Sequence, residues 1–125
     1  MESVSPNIFV NNLPATTEYY KKLGFELVTS VPDENGNMQF ALMMNGAATF
    51  MFQTFRSIEG QLPSVSRQDG GSLLLYIKMK GIRSYFDSVS AQLPILHGLE
   101  KTFYGATEFS VVDPNNFILT FAEDE

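Results

Sequence analysis

The sequence predicts an α+β protein in which one order of elements, strand-helix-strand-strand-strand, is written twice along a single domain of 125 residues. Three observations carry that expectation. Gly105 to Phe121, GATEFSVVDPNNFILTF, reads as a strand, a tight turn and a strand. Ala15 to Leu23 and Ile82 to Gln92 read as two short helices, each following one strand and preceding three more. Between them, Ser57 to Gly70 has no clear period, and after Gly70-Gly71 the order of elements begins again. The modules so delimited are residues 5–55 and 71–123, joined by a loop at 56–70 that reads as a linker or lid.

Asn7 to Asn11 is a short strand. Asn12 is suited to cap the helix that follows, Pro14 to its first turn, and Gly24 to its end. Phe25 to Ser30 is a strand, Pro32 to Gly36 a turn, and Met38 to Met44 the next strand. Asn45-Gly46 signals a hairpin whose partner strand is Ala47 to Phe55. In the second half Ser72 to Met79 is a strand. Ile82, Tyr85, Phe86 and Val89 fall at helical spacing and give that helix one apolar face. Pro94 to His97, Lys101 to Val112 and Phe117 to Ala122 supply three strands. In the closing hairpin Thr107, Phe109 and Val111 alternate with Glu108 and Ser110, the period of two of a strand with unlike faces. Pro114 fixes φ at the turn, and Asn115 and Asn116 tolerate left-handed backbone.

Composition excludes several classes of function. A chain of this length can bury about two thirds of its unfolded surface, and 44% hydrophobic with 18% charged residues is ordinary for a soluble globule. A net charge of −6 leaves no basic stripe for phosphates, so no nucleic-acid partner is expected. The absence of cysteine removes thiol catalysis, disulfides and cysteine metal sites. MESVSPN carries neither a basic segment nor an apolar run, and no stretch approaches a membrane span. A cytoplasmic protein without membrane contact is the expectation.

YGATEFSVVDPNNFILTFAE resembles the closing hairpin of the vicinal oxygen chelate superfamily, which includes glyoxalases, bleomycin-resistance proteins and extradiol dioxygenases. The family pattern there is aromatic-Gly, Glu-Phe, Asp-Pro-Asp/Asn-Gly and an apolar strand, and this chain has Asn116 where Gly is usual. VNNLPATTEYYKKLGFEL is similar to the family's opening strand and helix, with an aromatic pair before Leu-Gly-Phe. The resemblance implies the glyoxalase/bleomycin-resistance fold: two βαβββ modules forming curved mixed sheets around a cup. It also implies a homodimer, because in this superfamily two chains commonly pair to complete each other's cavities.

Strand alternation indicates which residues face the cup. Leu73, Leu75, Ile77 and Met79 make one apolar face suited to lie under a helix, leaving Ser72, Leu74, Tyr76 and Lys78 opposite. Taking the more polar set of each strand gives Asn7, Phe9, Met51, Gln53, Phe55, Leu74, Tyr76, Ile118 and Thr120, with Glu108 beside Gln53. A slip of one residue would invert any of these. Glu108 near Lys78 or Tyr104 offers an acid–base pair, with plain structural pairing as the simpler reading.

The superfamily's enzymes hold a divalent metal with His, Glu or Gln from the first, fourth, fifth and eighth strands. Matched onto this chain, those positions fall near Ser5, on Gln53, on Leu74 or Ser72, and on Thr120. One neutral amide among hydroxyls and hydrocarbon is a poor transition-metal site. The single histidine, His97, falls in an outer strand of the second module, and no histidine lies in the expected cup. No metal and no cofactor are therefore expected. The reading is a protein that sequesters a small apolar or aromatic ligand, to which the methionines and phenylalanines of the third and fourth strands are suited. A metal-dependent lyase, isomerase or dioxygenase with unusual ligands, and a structural dimer with a vestigial cup, stand as alternatives.

Overall fold

The computed structural model describes residues 1–125. It divides into two compact units, Met1–Asp69 and Gly70–Glu125, each a βαβββ module with a curved mixed sheet. In the first, β1 (Asn7–Val10), α1 (Leu13–Lys22), β2 (Glu26–Pro32), β3 (Met38–Asn45) and β4 (Ala48–Thr54) follow in chain order. The sheet order is β1-β4-β3-β2, with β1 parallel to β4 and the other pairs antiparallel.

Helix α1 forms where its local signals predict. The Asn12 side chain accepts from Ala15 N at 3.0 Å, and a proline occupies the first turn. At the other end Gly24 takes φ +94, Gly24 N–H donates to Lys21 O and Phe25 N–H to Tyr20 O, a Schellman closure. The buried hydroxyls of Thr16 and Thr17 donate to the carbonyls of Asn12 and Pro14, so burial costs them no hydrogen bond. Tyr20, fully buried, lies 4.7 Å from Phe52, 5.6 Å from Phe50 and 5.7 Å from Phe25 between ring centroids. Ile8, Val10, Ala41 and Met43 complete this face of the sheet under the helix.

The second module runs β5 (Leu74–Lys78), α2 (Ile82–Ser90), β6 (His97–Lys101), β7 (Ala106–Val112) and β8 (Ile118–Asp124), with sheet order β5-β8-β7-β6 and β5 parallel to β8. Phe109 and Phe121 stack at 5.1 Å, with Phe86 and Tyr85 of α2 each 5.1 Å from one of them. Leu119, Val111 and Val89 fill the same layer. The closing turn forms as its residues require. Asp113 Oδ1 accepts from Asn115 N and Phe117 N, both at 2.9 Å, and Asn116 takes φ +66 in place of the usual glycine.

Two expectations are corrected. Strand β6 occupies His97–Lys101 rather than 94–97, and 101–112 is two strands joined by a tight turn. Ala106 N–H donates to Thr102 Oγ1, Thr102 N–H returns to Ala106 O, and Gly105 takes φ +88. These local bonds close a hairpin inside a run that reads as continuous by composition. The segment 56–70 is also not a featureless linker. Phe55–Ile58 is a 3-10 helix, Ile58 is buried, and the Arg67 guanidinium donates to the carbonyls of Ile58, Gln61, Leu62 and Val65. One side chain supplies to these carbonyls the donors that backbone N–H groups would provide in regular secondary structure.

Candidate functional site

Pairing across each sheet fixes which residues share the face turned away from the helix. In the first module Asn7 lies beside Met51 and Phe9 beside Gln53, while Phe40 and Leu42 oppose Gln53 and Met51. Asn7, Phe9, Met51 and Gln53 therefore share one face, and it is an apolar floor with one polar corner. At that corner Asn7 Nδ2 donates to Gln53 Oε1 at 3.1 Å, leaving the amide hydrogens of Gln53 available to a ligand. Phe40 and Leu42 belong to the same floor; the sequence assigned neither to a face, because β3 is apolar on both faces and its alternation carries no signal.

Phe55 is not part of that floor. The strand ends at Thr54, whose hydroxyl accepts from Ser57 N at 3.2 Å, and Phe55 begins the 3-10 helix. It lines a hollow of about 400 Å³ at the end of the sheet, with Leu13, Pro14 and Met38. A neighbouring hollow of about 480 Å³ shares Asp33, Thr54 and Arg56. Both are wide open, and of the expected ligand residues only Phe55 lines either.

In the second module Leu74, Tyr76, Ile118, Thr120 and Glu108 share the face turned away from α2. This face is polar. Thr120 and Ser110 are buried and joined hydroxyl to hydroxyl at 2.8 Å. Glu108 does not pair with Lys78, whose ammonium lies 3.0 Å from Asp124. Its Oε2 instead accepts from Tyr76 at 2.5 Å and from Tyr104 at 2.6 Å. These bonds, more than desolvation or the carboxylate charge, push both phenols above their ordinary value, Tyr76 the further. Neither tyrosine ionises near neutral pH, so neither is a base there. His97 is exposed, as expected of an outer strand, but it pairs opposite Ser110 and so lies on this face, at its outer edge.

The donors at the positions matched to the superfamily's metal ligands do not fit a metal. The Gln53 carbonyl oxygen is engaged by Asn7, the Thr120 hydroxyl by Ser110, and Leu74 has no donor atom. Nowhere do three or more His, Cys, Asp or Glu side chains gather in a geometry that could hold a metal ion.

The fold has many solved counterparts. A protein of unknown function from Agrobacterium tumefaciens is 24% identical over all of this chain and 95% of its own, with a TM-score of 0.76. TioX from Micromonospora sp. ML1 is 16% identical over the full length of both chains, with a TM-score of 0.75. A bleomycin-binding protein solved in complex with bleomycin is 17% identical, also over both full lengths, with a TM-score of 0.68. At these identities the likeness is one of fold. No curated protein matches the chain. The profile of the glyoxalase/bleomycin resistance protein/dioxygenase superfamily matches residues 3–121, and the chain belongs to that superfamily.

Proposed function

We propose that this protein is a small-molecule-binding member of its superfamily that works without a metal, in the manner of the bleomycin-resistance branch, and holds an apolar or aromatic ligand on the helix-free sheet faces. The donor set carries this reading: an engaged amide, an engaged hydroxyl and a hydrocarbon stand where the enzymes place metal ligands. The floor of Phe9, Phe40, Leu42 and Met51 supports it, because thioethers adapt in shape and rings stack on planar ligands. That a protein of the same fold was captured with bleomycin supports the class and not the ligand. No helix is long and apolar enough to cross a membrane, and a cytoplasmic location is part of the proposal.

The test joins metal analysis to a ligand screen. Protein purified without chelator is expected to carry well under one equivalent of Zn, Mn, Fe or Ni, and stoichiometric metal overturns the reading. Against a planar aromatic ligand from the screen, Phe9→Ala should cost about 1–3 kcal/mol of binding. Gln53→Ala should cost on the order of 1 kcal/mol, the net value of one neutral hydrogen bond. The reverse order, with Gln53→Ala abolishing a turnover, is the signature of a metal enzyme. Phe55→Ala separates the floor from the hollow at the sheet end: a loss equal to that of Phe9→Ala places the ligand across both. We also propose a homodimer, which light scattering at micromolar concentration tests directly.

A further inference from the structure

Tyr76 and Glu108 belong to strands that do not touch, since β8 lies between β5 and β7. Their side chains meet because the intervening positions are small: Thr120 beside Tyr76 and the fully buried Ala122 beside Glu108. Tyr104, in the turn before β7, reaches the same carboxylate oxygen. A phenol has one proton, and both phenols give theirs to Oε2. The second carboxylate oxygen, Oε1, accepts no hydrogen bond from the protein. No cation neutralises it either, because Lys78 pairs with Asp124 and Lys101 with Glu125. Glu100, opposite Glu108 across the β6–β7 pair, only adds like charge.

Around this carboxylate stands an unusual amount of exposed aromatic surface. Phe103 is 99% exposed, Tyr104 56% and Tyr76 46%. Phe103 meets Tyr104 edge-on, with centroids 5.0 Å apart and planes at 83°, which leaves ring faces uncovered. An uncompensated carboxylate bordered by aromatic faces complements one kind of group well. The carboxylate attracts a positive charge, and the rings accept the polarised C–H groups around it through their quadrupoles.

We infer that Glu108, Tyr76, Tyr104 and Phe103 form a recognition site for an organic cation, a protonated or quaternary amine. This rests on the reading proposed above, that the helix-free faces bind small molecules, and gives the charge class of the group that the second module's face takes. The tyrosines act as holders: by donating to Oε2 they fix the carboxylate and leave Oε1 to the ligand. Both phenols are held above their ordinary value, so neither adds a second negative charge near neutral pH. The net charge of −6 draws cations toward the molecule as a whole.

The experiment titrates benzyltrimethylammonium and its neutral carbon isostere, neopentylbenzene, into the protein by NMR. The cation is expected to bind at least about tenfold more tightly than the isostere, with shifts centred on residues 76 and 103–108. Glu108→Gln should remove about tenfold or more of the cation affinity and leave the isostere unchanged. Phe103→Ala, too exposed to threaten folding, should cost about threefold to tenfold for the cation alone. As a check on the cluster, ultraviolet titration of Glu108→Gln should bring the two phenols back toward their ordinary value of 10.0. Equal binding of cation and isostere, indifferent to Glu108→Gln, overturns the inference and leaves the ligand-binding proposal standing. Binding of neither probe counts against both.

Discussion

In the first module the face turned away from α1 carries Phe9, Phe40, Leu42 and Met51 with Asn7 and Gln53 at one corner, whereas the corresponding face of the second adds Tyr76, Lys78, Glu108, Ser110 and Thr120 to Leu74 and Ile118. The opposite faces are alike. Each packs an aromatic cluster under its helix, Tyr20 with Phe25, Phe50 and Phe52 in one, Tyr85 and Phe86 with Phe109 and Phe121 in the other. The contrast separates two pressures on one topology. The helix-covered face must exclude water, which keeps its centre apolar in both modules; Thr107 and Glu123, at its edge in the second, are both hydrogen-bonded. The other face is held to it less strictly, since its buried Ser110 and Thr120 satisfy each other, and there the two modules differ.

The comparison breaks first, and most strongly, in the cores. Phe52→Ala and Phe121→Ala each remove a buried ring from equivalent strands, and each should lower stability by about 3–5 kcal/mol in denaturant unfolding. If one costs under about 1 kcal/mol, the two cores are not equivalent and the shared plan is superficial.

A smaller effect distinguishes two copies of one turn. Asp33 Oδ1 accepts from Asn35 N and Asn37 N at 2.8 and 2.9 Å, just as Asp113 does from Asn115 and Phe117. Gly36 and Asn116 take left-handed φ, +83 and +66, at the same place in the turn. Yet the turn joins β2 to β3 in the first module and β7 to β8 in the second, so it is a local solution used at different hairpins rather than a mark of shared descent. Asp113 and Asn115 are buried, while Asp33 is half-buried and Asn35 exposed. Asp113→Ala, which strands buried N–H groups, should cost about 1–3 kcal/mol. Asp33→Ala, where water can replace the carboxylate, should cost about 0.5–1 kcal/mol, and thermal unfolding of the pair reads the difference.

The smallest effect appears only with pH. Helix α1 is capped by Asn12, which does not titrate, and Asn12→Ala should cost about 1 kcal/mol at any pH. Helix α2 has Gly81 at its N-cap position and no side-chain cap from it. Its first amides, Ile82 N and Gly81 N, donate to Glu123 of β8 at 3.0 and 3.1 Å. Those bonds, with Lys80 and Arg83 adding less, hold the Glu123 carboxyl below its ordinary 4.5. A carboxyl depressed by folding adds stability above its unfolded value and loses it as pH falls through the folded one. Glu123→Gln should therefore melt below the parent at pH 7, and the gap should close below pH 4.5. A gap constant down to pH 3 would mean that the charge contributes nothing.

What the sequence determined alone is whatever short-range chemistry suffices to enforce. Asn12 and Pro14 start a helix, Gly24 stops it, Asp113 and Asn116 turn a strand, and alternation sorts Thr107, Phe109 and Val111 from Glu108 and Ser110, because each signal acts within a few residues. These cues, with the family resemblance, gave the fold class and most faces. They failed where the deciding bond was less conspicuous or more distant. The turn at 102–105 depends on a Thr102 side chain indistinguishable by composition from a strand residue, and the 56–70 segment on Arg67 reaching back as far as Ile58. The site followed the same division. Alternation placed Gln53, Tyr76 and Glu108 on helix-free faces, but only the lateral order β5-β8-β7, with small residues on the strand between, could bring Tyr76 onto Glu108 across 32 positions of chain. Period two says which way a side chain points; it carries no information about which strand lies beside it.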